Sequence, residues 1–467
     1  MPIRDIVLTI GILGLLPLCF TRPWIGVLMW SWLGYMNPHR LTWGFASELP
    51  FAQLVAICTL AGLLFTKDKK PIPWVRETYL LVALWIMFTI TTFFALYPDE
   101  AWEQFDKVSK VLLFTFVTLK LFQDRTRLRY LFLVIALSIG FYGAKGGVWA
   151  LLTGGMNRVY GPDRSFLGSN NSIGLALNMV LPILYMLWQD EPRRWLRNVL
   201  RFTFCMSIVG VVFTYSRGGF LGLIVVLAAL FFRPTKRAMV GLTVALALGL
   251  LFLMLGSPLL PDQWWQRMGT IRTYDEDTSA VSRLTAWKVA FQLALNRPFL
   301  GGGFWVLPHS EIFQLYSGSD SDASYSAHSI YFSILGDHGF VALGLFVFLL
   351  LSCVGSLARL RRLARRSESA AWVGTPARML QASFLAYMVS GAFLTEAYFD
   401  LFYHLVSVVI LLKVLARQEA PTRAAPAVVT PARTPVKAMP VAVIRPVRKA
   451  PPLPVRNRRL PSQWRPR

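Results

Sequence analysis

The sequence predicts an all-α polytopic membrane protein of about 12 transmembrane helices, with one large outward loop that carries surface helices. Three observations predict it. Of 467 residues, 55% are hydrophobic and only 15% are charged, well under the roughly 25% of an ordinary soluble chain. Apolar windows long enough to cross a hydrocarbon core of about 30 Å recur along the chain; examples are "YLLVALWIMFTITTFFAL" at 79–96, 238–256 and 340–358. The 48 Lys and Arg, against 24 Asp and Glu, gather in short loops between these windows. That is the pattern of a cytoplasmic membrane face, not of a nucleic-acid surface.

Taken in order, the N-terminal apolar pieces 6–20 and 24–36 are separated by Arg22-Pro23 and show no small-residue cleavage site, so they read as retained. They form a re-entrant pair or one tilted span, with both chain ends expected on the cytoplasmic side. Basic loops follow at "KDKK" 67–70, "DRTRLR" 124–129, "EPRRWLR" 191–197, "RPTKR" 233–237 and "RLRRLARR" 359–366. The segments near 97–107, 154–171, 214–219 and 257–327 then face outward. Residues 1–256 are transmembrane helices with short loops, 257–327 the large outer loop, and 328–416 the C-terminal transmembrane helices. The tail, 417–467, is basic and proline-rich with a single acid, Glu419; it is expected to be disordered beside anionic headgroups. No inverted repeat of the transporter kind is visible. Cys19, Cys58, Cys205 and Cys353 lie in apolar segments without paired spacing and read as small buried hydrophobes.

Four outward patches put polar residues beside apolar helices. "MNRVYGPDRSFLGSNNSIGLALN", 156–178, carries Arg158, Arg164, Asn170 and Asn171. A helix starting near Ser172 aims its free N–H groups outward, which suits an anion or simply a polar cap. "TYSRGGF", 214–220, interrupts two apolar spans with Arg217, a residue suited either to snorkelling or to bidentate phosphate binding. In "SAVSRLTAWKVAFQLALNRPFLGGGFWVL", 279–307, apolar residues at 281, 284, 287, 291 and 295 fit one helical face. Arg283 and Lys288 lie on the polar side, so the stretch reads as a helix on the outer membrane surface, ended by Asn296-Arg297-Pro298.

The fourth patch is "AHSIYFSILGDHGF", 327–340, with two of the chain's 5 histidines. Histidine is the default base for activating a hydroxyl near neutral pH. Ten residues of helix advance about 15 Å, so His328 and His338 cannot act on one atom while the segment is helical; a break near Gly336 would change that. Asp337 points to the opposite side of such a helix from His328. No Asp, His or Glu cluster has metal-ligand spacing, and neither a metal nor another cofactor is expected.

These segments resemble the bacterial O-antigen ligase and O-antigen polymerase superfamily over roughly residues 150–400. The resemblance rests on the outward Arg217 in "SRGG", then on Arg283, Trp287 and Phe291 leading to Pro298, Gly301 and Gly303. It continues with His328, Ser329 and Gly339, and upstream with Arg158 and Asn171. The N-terminal part is similar to the exosortase-associated O-glycosylation ligase subgroup. Two departures stand out: Ala342 fills a position that in ligases is often Gly, Thr or Tyr, and Asp337 replaces a usual Glu, with His338 where an apolar residue is common.

The resemblance implies a lipid-dependent glycosyltransferase of the inner (cytoplasmic) membrane, GT-C-like in its all-helical fold, with a periplasmic site. The donor would be an undecaprenyl-diphosphate-linked glycan and the acceptor lipid A–core, with inversion at the sugar carbon and no metal. Arg217, Arg158, Arg164 and Arg283 would hold the diphosphate. His328, with His338 as second choice, would receive or position the acceptor hydroxyl, supported by Asn171, Ser329, Asp337 and Lys288. The neighbouring expectations are an O-antigen polymerase, a protein O-glycosylation ligase using the same donor and, from another class, a lipid-linked oligosaccharide transporter.

Overall fold

The computed structural model describes residues 3–231, 261, 264–265, 278–317 and 324–419. The basic loop 233–237, the apolar window 238–256, part of the outer loop and the proline-rich tail from 420 onward lie outside the described residues. The described chain is all-helical: α1 (Ile3–Thr21), α2 (Pro23–Met36), α3 (Phe51–Phe65), α4 (Arg76–Phe93), α5 (Pro98–Leu121), α6 (Arg125–Leu152), α7 (Asn170–Asp190), α8 (Arg194–Val212), α9 (Arg217–Phe231), α10 (Thr278–Asn296), α11 (Ser310–Ser317), α12 (Ile330–Arg366), α13 (Gly374–Gly391) and α14 (Asp400–Glu419). Five of them, α1, α6, α7, α8 and α12, are by length and composition able to cross a membrane. The protein is a multi-pass membrane protein.

The helices run between two chemically different ends. At one, basic loops are tied together: Arg127 pairs with Asp68, Lys70 Nζ donates to the Gln123 carbonyl at 2.8 Å, and Arg129 meets Glu191 at 2.7 Å. Arg125 lies 4.0 Å over the Trp372 ring, and Trp372 donates to Glu419 at 2.7 Å. At the other end, His328, the start of α7, the start of α9 and the segment 392–399 meet.

The N-terminus departs from expectation. α1 and α2 are separate antiparallel helices, and α2 starts at the basic end, where Trp24 stacks on Tyr130 at 6.1 Å beneath Arg127. It finishes at the His328 end, where Met36 O accepts from Tyr142. Asp5 takes the Ala46 N–H at 2.9 Å and Arg4 covers Trp43 at 5.1 Å, so the chain begins at the His328 end, away from the basic loops. Arg22, between α1 and α2, is the basic residue that follows the charge rule, and Arg4 is accommodated by an aromatic ring instead.

α12 is broken. Gly339 has φ 77° and ψ −173° inside the helix, a conformation only glycine adopts cheaply. The chain 297–303 docks backbone to backbone on that break. Phe340 N donates to Pro298 O at 2.8 Å, Gly302 N to Gly336 O at 2.9 Å and Gly303 N to Asp337 O at 2.8 Å. A Cβ on Gly339 would sit 2.5 Å from Pro298 O, and one on Gly301 (φ 60°) 2.5 Å from His338 N. The glycines of 301–303 and Gly339 therefore belong to one joint.

At the basic end, Glu77 is fully buried and accepts from Ser352 (2.6 Å), Ser356 (2.7 Å) and Lys413, tying α4, α12 and α14. Glu77→Ala strands the Lys413 ammonium in a low-dielectric interior, a loss of about 3–5 kcal/mol. Thermal unfolding in detergent should fall sharply for Glu77→Ala and largely recover in Glu77→Met/Lys413→Met; an unchanged transition in the single variant contradicts the buried pair. Gly339→Ala should destabilise by at least about 1–3 kcal/mol through its positive φ, whereas Gly344→Ala, which meets nothing within 4 Å, should be neutral or stabilising. Equal unfolding temperatures for these two variants would refute the joint.

Candidate functional site

His328 sits just before α12 with φ 43°, a left-handed conformation uncommon for a non-glycine residue. Three contacts hold it there. Trp287 of α10 donates its indole N–H to the Ala327 carbonyl at 2.7 Å and stacks on Phe332 at 4.8 Å. The imidazole lies 3.2 Å from Thr395 Oγ1 through Nδ1 and 3.2 Å from Ser326 Oγ through Nε2. Arg283 lies one turn before Trp287. Burial, and then the Arg283 charge, hold His328 below the usual imidazole range, so the ring is neutral near pH 7. One turn after Trp287, Phe291 meets Phe340 at 6.0 Å. Arg283, Trp287 and Phe291 thus follow α12 from His328 to the break. α10 ends at Asn296, as its sequence predicts.

α10 packs through Ala286, Val289, Ala290 and Leu293, while Val281, Leu284, Phe291 and Leu295 of the expected apolar face are exposed. The helix is apolar on two sides, and the second side is exposed. Lys288 is exposed. Ser329 caps α12 through its carbonyl, which accepts from Ser333 N at 2.9 Å; its side chain makes no cap bond.

The segment 392–399 joins the patches, and the sequence reading missed it. Thr395 holds His328. Glu396, one residue on, is partly buried and accepts from the Ser172 hydroxyl at the start of α7. Ser172 N is capped by Ser169 Oγ at 2.9 Å. The α7 N-terminus, where an anion was expected, thus carries a side-chain cap at Ser172 N and has the Glu396 carboxyl beside its Ser172 hydroxyl. Burial pushes the Glu396 carboxyl up to about 7, with Asp400 adding to the rise. Tyr398 donates to Asp337 at 2.7 Å, and Asp337 also takes the backbone N–H groups of Val306 and Trp305. The available signal was "TEAYFD", where Glu396 and Asp400 stand in an otherwise apolar C-terminal region; acids at such positions are functional by default.

The arginines divide into two groups around that segment. Arg217 opens α9 and is half-buried; Gly218 beside it packs under Phe393 and the Ser390 carbonyl. Arg158 is exposed and lies 5.9 Å over Tyr215, so it shares the Arg217 side. Asn170 donates to the Thr214 carbonyl at 2.8 Å, fixing the start of α7 against the same turn. Asn171 lies in the first turn of α7. Arg164 is exposed with φ 54°. Arg283 belongs with His328, across Thr395.

His338 is elsewhere. The helix runs unbroken from Ile330 to His338, because the break falls at Gly339 and not near Gly336. Its ring is fully buried, 2.6 Å from Thr91 Oγ1 and packed on Phe88 and Phe304 with centroids 4.5 and 4.4 Å away. The structure does not bring it to His328.

Between these elements lies a cavity of about 350 Å³. Ser172, Ser326, Asp337, Glu396 and Tyr398 are among its walls, and Trp305 and Phe166 are its partly exposed aromatics.

Comparison with known families matches residues 3–184 to a family of unknown function (DUF5935) and residues 202–347 to the family described as O-Antigen ligase. No curated protein matches the chain. The second match spans Arg217, Arg283, Trp287, His328 and Gly339. This segment, which carries the joint and the histidine site, is similar to the O-antigen ligase family.

Proposed function

We propose that the protein is a lipid-linked glycan ligase. It transfers a glycan from undecaprenyl diphosphate to a hydroxyl of lipid A–core at the periplasmic face of the bacterial inner membrane. The similarity of residues 202–347 to the O-antigen ligase family supports glycosyl transfer of the ligase or polymerase type. The observation that carries the finer reading is the meeting of a neutral, doubly held His328 with Arg283 beside an open polar cavity.

In the neutral ring one nitrogen donates and the other accepts. In the tautomer this reading requires, Nδ1–H donates to Thr395 Oγ1 and Nε2 is the base on the Ser326 side, where Ser326 lines the cavity. The acceptor hydroxyl replaces Ser326 Oγ there. It gives its proton to Nε2 as its oxygen attacks the sugar carbon, and the carbon–diphosphate bond breaks on the opposite face, giving inversion. Arg217, Arg283, Arg158 and Arg164 stabilise the charge gathered on the leaving diphosphate, with no metal in this reading. Asn171, Ser329, Asp337 and Lys288 support the surrounding loops. His338, enclosed among aromatic rings, takes no part.

Purified protein offered an undecaprenyl-diphosphate glycan with lipid A–core, peptide and self acceptors in parallel tests the reaction. Product on lipid A–core is expected; elongation on the carrier alone identifies a polymerase, product on peptide a protein ligase, and movement of intact donor across vesicles a transporter. His328→Ala and Arg217→Ala should each cut transfer by at least about 10²-fold, the scale of a lost base or charge stabiliser. Full activity in either folded variant removes that residue from the mechanism.

The pH profile gives a separate check. The base must be unprotonated, and its pKa lies below the ordinary 6.5. The acid limb of transfer should therefore lie at lower pH than that of an ordinary imidazole. Arg283→Gln removes a charge that disfavours the imidazolium, so the acid limb should move to higher pH whatever the loss in rate. A limb that stays in place refutes the coupling.

A further inference from the structure

We propose that the cavity beside His328 is a sugar subsite that admits an uncharged ring and refuses an anionic one. Calling that ring part of the glycan substrate rests on the glycosyl-transfer reading, but the binding of a sugar there does not.

The lining is the first reason. Hydroxyls of Ser172, Ser326, Thr395 and Tyr398 and the carboxyls of Asp337 and Glu396 converge on one space. Such a density of short donors and acceptors matches a polyhydroxylated ligand, and the volume lies within the range of small-molecule sites. Ser333 adds an independent sign. Its hydroxyl is buried, lines the cavity and has no hydrogen-bond partner. Buried polar groups are nearly always paired in native structures, so an orphan within the wall of a cavity stands out.

The aromatic rings are the second reason. Trp305 and Phe166 present half-open faces to the same space. Trp305 is held with φ 62°, a strained conformation for a bulky residue. Strain kept at an exposed indole fits a platform for the electropositive C–H face of a pyranose ring.

Charge supplies the selectivity. Among the described residues that line the cavity there is no Lys, Arg or His. None of the arginines lines it: Arg217 and Arg158 stand by the Tyr215 turn, Arg283 acts on His328, and Arg164 is exposed next to the wall residues Ser165 and Phe166. Asp400 faces Glu396 from α14, Tyr387 donates to the Glu396 carbonyl at 2.9 Å, and Tyr398 faces Asp337. None of these supplies a cation. An entering carboxylate or phosphate meets two carboxyl groups and loses its water without a counter-charge, which is repulsive as well as costly. A carboxyl near neutrality, as Glu396 is, instead donates to or accepts from a sugar hydroxyl. The molecule thus separates its substrate chemically: diphosphate and core phosphates to the arginines, an uncharged ring to the cavity.

Saturation-transfer difference NMR on the purified full-length protein in detergent tests this without any turnover. The probes are the methyl glucoside, galactoside and mannoside, and methyl glucuronide, which differs from the glucoside only by a carboxylate at the sixth carbon. At least one neutral glycoside should bind, the glucuronide about tenfold or more weaker than the glucoside, a difference of about 1.4 kcal/mol. Trp305→Ala and Ser333→Ala should each weaken the neutral probe while unfolding at the wild-type temperature. Asp337→Asn/Glu396→Gln should narrow the gap between glucoside and glucuronide. Equal binding of the two, no binding of any neutral glycoside, or binding indifferent to both Trp305→Ala and Ser333→Ala overturns the proposal. Neutral-selective binding in a protein that transfers no glycan leaves the subsite standing and removes the ligase reading.

Discussion

The docking of the Pro298–Gly303 backbone on the break in α12 is the constraint on which the site depends. A peptide chain can approach another this closely only where no Cβ intervenes, and Gly301 and Gly339 supply that gap with positive φ. The contact uses backbone N–H and C=O groups that a broken helix leaves without partners, so forming it satisfies the break instead of leaving it strained. From it α10 leaves in one direction and α12 in another. That fixes Arg283 and Trp287 over the start of α12 and gives His328 its place.

The second half of the site is built from the segment 392–399. Its Thr395 meets the histidine, its Glu396 meets α7 through Ser172, and Phe393 covers the first glycine after Arg217. One short stretch therefore sets the distance between the two arginine groups. A carboxyl held by the Ser172 hydroxyl at the start of α7 is also an electrostatic choice, since the positive end of the helix favours negative charge beside it.

Much of this was legible in the sequence because it is local. The apolar windows, the end of α10 at Asn296 before Arg297-Pro298, and the inequality of the two histidines follow from helix rise, proline chemistry and charge placement. What was not legible depends on partners far apart in the chain. Glu396 and Ser172, or Gly301 and His338, meet only through the fold, and no spacing rule connects them. Nor does hydrophobicity alone say which apolar side of a helix packs and which meets lipid. On α10 the sides were separable only once Ala286 and Val289 were seen inward and Leu284 and Leu295 outward. The N-terminus misled for a related reason: one arginine can rest on an aromatic ring as well as in a basic loop.

The hydroxyl of Ser172 on Glu396 has a consequence for how the chain is divided. Ser172 belongs to the segment 3–184 and Glu396 lies beyond 202–347, while Thr91, also from the first segment, holds the ring of His338 beneath the joint. The two matched stretches are therefore not a catalytic module with an appendage of its own purpose. They share one wall, and exchanging the first stretch between relatives would carry Gln104, Ser165, Phe166, Ser169 and Ser172 of the cavity with it.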